Sequence, residues 1–357
     1  MPSQAQEARV PFRAFREVPL PQAAAPFFIF GAPRSGTSLF ARMLNQHPRL
    51  AVPFESQLFR YWTPLLPLYG DLRRPGALEA LVDDILCCPV IRKFSPVPER
   101  DAVLAETPSR DFGGVVAGVL GAFARSQGKQ RWGEKSPYHA YHWGQIHSCF
   151  PGAKVLHIVR DGRDTAISLL RARQGPKTIF AAAQLWRRYL EQMERIRASC
   201  GPGSFLELHY EALLDHPEKL LREVFDFLGE SFESGALEFH LDATPYETDA
   251  TNARNLHRPL LSGNKHKWRS QMSRRALETF EAVAGGMLQR HGYARACAPR
   301  ALGRAERLWL GLAQHPPRLW ARLRDRQGQR EALYGLGVRA RRLAARALSR
   351  PGSRASA

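Results

Sequence analysis

Short apolar runs alternate along the first 210 residues with longer stretches in which hydrophobic side chains return every three or four positions. The runs are "FFIF" (27–30), "RLAVP" (49–53), "RWGEK" (131–135), "KVLHIVR" (154–160) and "SFLELHY" (204–210). Short runs bounded by turn residues read as buried strands, and the three-to-four return reads as amphipathic helix. The first helix is predicted over 37–45, with Leu39, Phe40, Met43 and Leu44 on one face and His47-Pro48 stopping it. Strands alternating with helices over about 200 residues predict an α/β fold, a parallel β-sheet flanked by helices, with ligands at the carboxyl ends of the strands.

The flanks differ from this core. Residues 1–26 are polar and proline-punctuated and read as a flexible N-terminal segment; residues 27–298 form the domain proper. Residues 240–272 are polar and irregular, as in a lid or binding loop, before an amphipathic pattern resumes at 274–293. Residues 299–357 turn to Arg, Ala and Leu and read as an Arg-rich helical extension.

Composition narrows the class. A 357-residue chain that is 44% hydrophobic has ample core and is not disordered. Its formal charge of +19 implies anionic company. More than half of that charge lies in residues 301–357, which hold thirteen arginines, no lysine and three acids. There Leu302, Leu308, Trp309, Leu312, Leu319, Trp320 and Leu323 stand among arginines in two amphipathic segments. Two readings stay open: peripheral membrane contact through 301–350, or helices packed on the domain with a solvated Arg face. Five cysteines, with no CxxC pair, read as reduced thiols. With no signal-peptide h-region and no long apolar run, the expected location is cytoplasmic, with the inner membrane face as an option.

Candidate chemistry lies at two strand ends. "FFIFGAPRSGTSLF" (27–40) has the frame of a phosphate-binding loop, with Thr37 where a nucleotide triphosphatase has lysine. Such a turn aims backbone N–H groups and a helix N-terminus at an anion. Ser35, Thr37 and Ser38 add hydroxyls, Gly36 permits the turn, and Arg34 supplies a guanidinium. In "KVLHIVRDGRDTAISLLRAR" (154–173), Arg160 and Ser168 converge on a second phosphate site.

Together the two stretches resemble the sulfotransferases that use 3′-phosphoadenosine 5′-phosphosulfate (PAPS). "APRSGTS" is similar to that family's 5′-phosphosulfate loop, and Arg160 with Ser168 to its 3′-phosphate element. The resemblance covers roughly residues 27–295 and makes 27–298 a sulfotransferase domain. It implies a P-loop-containing fold, PAPS as sulfuryl donor, a hydroxyl-bearing acceptor and in-line transfer without a metal. "FESQLF" places Glu55 at a strand end, where the tyrosylprotein and heparan branches hold a glutamate base. "WGEKSPYH" is similar to the segment whose lysine faces the sulfuryl group, which gives Lys135. Arg34 and Lys135 are thus expected to offset developing negative charge, and Glu55 to take the acceptor's proton.

His139 and His142, three apart on a predicted helix, are the alternative base, because the cytosolic branch uses histidine; further ligands for a zinc site are missing. Tyr210, Lys265, Lys267 and Trp268 are expected near the nucleotide, the last three from "SGNKHKWRSQM", similar to the family's lid element. Tyrosylprotein enzymes carry a further arginine four residues after the serine of the second element; here that position is Ala172. A P-loop kinase or triphosphatase and a non-catalytic binder of anionic membranes remain the alternatives. Nucleic acid is not expected as a partner, for want of an aromatic RNA-binding motif.

Overall fold

The computed structural model describes residues 25–173, 175–242, 244, 255–313 and 325–348. Five strands form one sheet: β1 (Phe27–Phe30), β2 (Leu50–Ala51), β3 (Arg131–Glu134), β4 (Lys154–Val159) and β5 (Phe205–His209). Their order is β2-β3-β1-β4-β5 and every pairing is parallel. All four residues of β1 are fully buried, as a central strand covered on both faces requires. Phe28 and Phe30 point into one hydrophobic cluster, Phe27 and Ile29 into the other, so the period of two divides the core between the sheet's faces.

Each face is covered by helices that the periodicity anticipates. The helix Thr37–Leu44 contributes Phe40, Ala41, Met43 and Leu44 to one layer, joined by Leu221, Val224 and Phe225 of the helix Pro217–Leu228. The other layer holds the helices Phe112–Ser126, Ile179–Ser199 and Arg274–Arg290, with Val116, Trp186 and Phe280 at its centre. Gly133 on β3 is forced by this packing: a Cβ there would lie 2.2 Å from the Phe27 ring.

β1 lies between β3 and β4, so the chain leaves it toward one side of the sheet and later returns to the other. The carboxyl end of β1 is therefore the switch point, where a crevice opens. The phosphate-loop frame begins there.

Two helices follow the domain, Arg304–Ala313 and Arg326–Leu348. The second docks on the helix Ala77–Cys87: Val338 is fully buried, and Arg341 and Arg342 reach the Asp84 carboxylate at 3.2 and 2.7 Å. Leu302 is buried, whereas Leu308, Trp309 and Leu312 are exposed; Leu319, Trp320 and Leu323 lie outside the described residues, as does most of the expected N-terminal segment. All five cysteines are free thiols. Among the described residues no helix is long and apolar enough to cross a membrane.

Candidate functional site

The loop after β1 is held open by its backbone. Arg34 and Gly36 both adopt positive φ, 78° and 94°. The left-handed region is uncommon for a residue with a Cβ and marks a loop shaped for a purpose. Gly36 is doubly constrained, because a Cβ would meet the Tyr210 ring at 2.4 Å. From the far layer, Tyr189 steadies the entry: its hydroxyl accepts from the Gly31 N–H at 3.1 Å and donates to the Pro137 carbonyl at 2.8 Å.

The second element lies directly against this loop. Arg160, one residue past β4, stacks over Tyr210 with its guanidinium carbon 4.4 Å from the ring centre. It donates to the Arg34 carbonyl at 3.2 Å and to the Asn264 carbonyl at 2.8 Å. Asn264 in turn donates from its side chain to the Tyr210 hydroxyl at 2.8 Å. Ser168, on the helix Gly162–Arg171, accepts from Arg34 Nε at 3.0 Å. The two motifs thus form one continuous polar surface.

A third group directly follows β3. Lys135 is fully buried, and its Nζ donates to Glu55 Oε1 at 2.9 Å and to Ser38 Oγ at 3.2 Å. Gln57 donates to the other Glu55 oxygen at 2.8 Å. Glu55 keeps about a quarter of its surface exposed and faces the cleft. It sits in the loop after β2, four residues beyond Ala51, and not at the strand end expected from sequence.

Glu134 fixes this corner. Its Oε1 accepts from the Ser56 N–H and hydroxyl and from the Ser136 hydroxyl; its Oε2 meets His139 Nδ1 at 2.9 Å. Burial pushes its pKa up, but His139 and the hydroxyl bonds outweigh that and hold the carboxyl at about 2. Glu134 is therefore a buried anchor, and it does not partner Lys135.

The loop after β1, Arg160, Ser168 and Glu55 line a cleft of about 920 Å³, with Lys135 and Glu134 buried outside its lining. One limb contains Arg160, Ser168, Tyr210, Leu256, Asn264 and Lys267; the other contains Phe54, Glu55, Arg60, Tyr61, Lys93 and Glu331, with the loop residues Arg34, Gly36, Thr37 and Ser38 between them. Burial, together with the nearby Arg160 charge, lowers the Lys267 pKa. In the second limb the Tyr61 hydroxyl donates to Glu331 at 2.8 Å, and burial with that carboxylate raises the phenol's pKa.

Some expected residues are placed elsewhere. Ser35 is buried beneath the loop, outside the cleft lining. Lys265 pairs with Asp215, also outside the lining, and its neighbours Asn264 and Lys267 face in. Trp268 packs against Arg163, whose guanidinium carbon is 3.8 Å from the ring centre, and its backbone N–H donates to Asp164 at 2.8 Å. Its ring is spent on holding the lid to the helix Gly162–Arg171. His139 is fully buried on Glu134, and His142 bonds Gln145; both lie on a 3₁₀ turn, Pro137–His142, and neither lines the cleft.

Tyr189, Glu134, Asn264 and Glu331 had no sequence signal of their own. The one available hint was the acid–histidine spacing in "EKSPYH".

Residues 26–234 match the profile of the Sulfotransferase family. Curated relatives include an uncharacterized protein of Aquifex aeolicus, 26% identical over 68% of this chain and 30% of its own length. The protein-tyrosine sulfotransferase of Drosophila melanogaster is 26% identical over 60% of this chain and 38% of its own length. Protein-tyrosine sulfotransferase 2 of Gallus gallus is 25% identical over 64% of this chain and 56% of its own length. The chain thus spans between about a third and a half of these relatives. Among solved structures, the sulfotransferase domain of the Synechococcus PCC 7002 olefin synthase has a TM-score of 0.52 at 23% identity, covering 75% of this chain and 98% of that domain. The sulfotransferase domain of the curacin biosynthetic pathway gives the same TM-score and coverage at 18% identity.

Proposed function

We propose, for a chain that belongs to the sulfotransferase family, that the cleft binds PAPS in its first limb and directs the sulfuryl group to an acceptor hydroxyl in its second. The observation that carries this reading is the junction of the two limbs. Arg34 bonds Ser168 of the second element, while Ser38 of the same loop bonds Lys135, which holds Glu55.

The donor set suits a polyanion. Arg160, which lines the cleft, has its Nε buried without a hydrogen-bond partner among the described residues. Buried donors of this kind are costly unless a ligand or water completes them. Arg160 and Ser168 would hold the 3′-phosphate, and the Gly36–Ser38 turn the 5′-phosphosulfate, with Tyr210 fixing the Arg160 fork from beneath. PAPS, when bound, supplies a sulfuryl group activated by its phosphate leaving group.

The protein's part is positioning and charge. Glu55 is exposed toward the acceptor limb and accepts the acceptor's hydroxyl proton as a general base. Lys135 reaches both Glu55 and Ser38, so it keeps the carboxylate aimed and places a cation beside the loop, where negative charge develops. Arg34 supplies a second cation from the loop itself. Burial on Glu134 removes His139 from contact with the cleft, which favours Glu55 over the histidines as base. Arg60, Tyr61, Lys93 and Glu331 surround the acceptor limb, a wall suited to a polar, hydroxyl-bearing molecule.

Calorimetric titration with 3′-phosphoadenosine 5′-phosphate (PAP), against ATP and in the presence of a chelator, tests the donor site. PAP should bind and ATP should bind more weakly. Arg160→Ala should weaken PAP about 10- to 100-fold, the worth of a charge-assisted hydrogen bond. Preference for ATP with Mg²⁺, or no effect of the substitution, would return the loop to the kinase class.

A further inference from the structure

The C-terminal helix Arg326–Leu348 has two unlike faces. Glu331, Tyr334, Val338 and Arg342 turn inward: Tyr334 bonds the Asp84 carbonyl, and Arg342 the Asp84 carboxylate and the Ala80 carbonyl. On the opposite side Leu333, Leu336, Ala340 and Leu343 recur at intervals of three and four, and all are exposed. An apolar stripe of this kind on a docked helix is unusual, because one buried face already provides the packing. The preceding helix Arg304–Ala313 repeats the feature with exposed Leu308, Trp309 and Leu312. Six of the chain's ten large exposed hydrophobic residues, among those described, lie on these two helices.

We propose that the outward stripe Leu333-Leu336-Ala340-Leu343, flanked by Arg330 and Arg339, docks this protein onto the surface of an anionic lipid bilayer.

Charge selects this occupant. The helix contains six arginines and a single acid, Glu331, which is turned toward Tyr61 and the cleft. Every other charge on this helix is therefore positive. A second copy of the chain seated on the stripe would set arginines against arginines, whereas anionic headgroups would pair with them while the leucines enter the acyl boundary. Arg side chains at such a border reach outward along the apolar surface to the headgroups. Trp309 adds a residue favoured at the interfacial depth. The same helix lines the acceptor limb with Gln327 and Glu331, so docking sets that limb close to the lipid surface. Membrane contact itself is independent of the transfer reaction and is read without turnover.

Co-sedimentation of the full chain with vesicles of phosphatidylglycerol and phosphatidylcholine, and with phosphatidylcholine alone, tests the proposal. Binding should occur on the anionic vesicles and fall as salt rises. Leu333→Asn/Leu336→Asn/Leu343→Asn, all at exposed positions, should reduce it by about tenfold or more while PAP affinity and circular dichroism stay at wild-type values. Arg330→Gln/Arg339→Gln should weaken binding and flatten its salt dependence. Three results overturn the proposal: equal binding by the triple-leucine variant, which would assign binding to general basicity; no vesicle binding; or a dimer in light scattering that the triple variant makes monomeric without any vesicle binding.

Discussion

Glu134→Gln isolates the anchor beneath the active corner. The wild-type carboxylate accepts three bonds on Oε1, at 3.2, 2.7 and 2.6 Å, and meets His139 through Oε2. A Gln amide removes the charge that these donors share, and an NH₂ turned toward Ser56 and Ser136 sets donor against donor in a site closed to water. Removing the charged acceptor of a buried hydrogen bond costs about 1.5–3 kcal/mol. A second route gives a similar size: a carboxyl held at about 2 against an ordinary 4.5 corresponds to about 3 kcal/mol of preference for the ionised folded form. The sign follows from the lowered pKa. This stabilisation is complete above the unfolded carboxyl's pKa near 4.5 and is lost as pH falls from there toward 2. Urea unfolding should therefore show Glu134→Gln less stable by about 3 kcal/mol at pH 7, with the gap to wild type narrowing below about pH 4.5. PAP affinity should survive in the folded fraction, because Arg160 and Ser168 share no bond with Glu134; turnover should fall, because Ser56 and Ser136 flank Glu55 and Lys135. A gap under about 0.5 kcal/mol at pH 7, or one that does not change between pH 7 and 3, would refute the reasoning.

Further outcomes follow from the same geometry. Glu55→Gln should lower kcat by about 10²–10³ with PAP binding unchanged, since the carboxylate lies in the acceptor limb; single-turnover sulfuryl transfer and calorimetry separate the two. Lys135→Met should lower kcat by a comparable factor of about 10²–10³, and the double variant with Glu55→Gln should cost much less than the product, because the two side chains act as a bonded pair. Gly36→Ala must strain a residue at φ 94° and displace the Tyr210 ring from the Arg160 fork, so PAP affinity should drop by about tenfold or more; wild-type affinity would show that the loop accommodates a Cβ.

What could be read from sequence was what is local. A four-residue apolar run ending in Gly-Ala-Pro-Arg-Ser-Gly specifies a strand, a turn with positive φ and a helix start without help from the rest of the chain. All five strands and the first helix lie within a residue or two of where their patterns place them. That Arg34, Ser38, Arg160 and Ser168 come to one cleft has the same local origin, because each is placed by its own strand end or helix turn. The lid was less legible. "SGNKHKW" offers two lysines, a histidine and a tryptophan ring within seven residues, and which of them faces the cleft depends on partners fifty or more positions away in sequence. Asp215 draws Lys265 outward and Arg163 takes the Trp268 ring, leaving Asn264 and Lys267 inside.

The Arg-rich extension shows why composition alone could not choose between its two readings. A helix that packs on the domain and a helix that meets lipid both need apolar residues among charges, and the sequence treats the two as alternatives. Here one helix has both kinds of face. Tyr334 and Val338 pack inward and Arg342 is drawn to Asp84, some 258 positions earlier, which leaves the leucines at 333, 336 and 343 on the far side. With apolar residues on opposite sides, the helical periodicity blurs, and a one-face pattern search finds little. The inward face needs no membrane to explain it. Packing on the domain, however, leaves the leucine stripe without a function, and the arginines bordering it admit an anionic partner far more readily than a copy of the same helix.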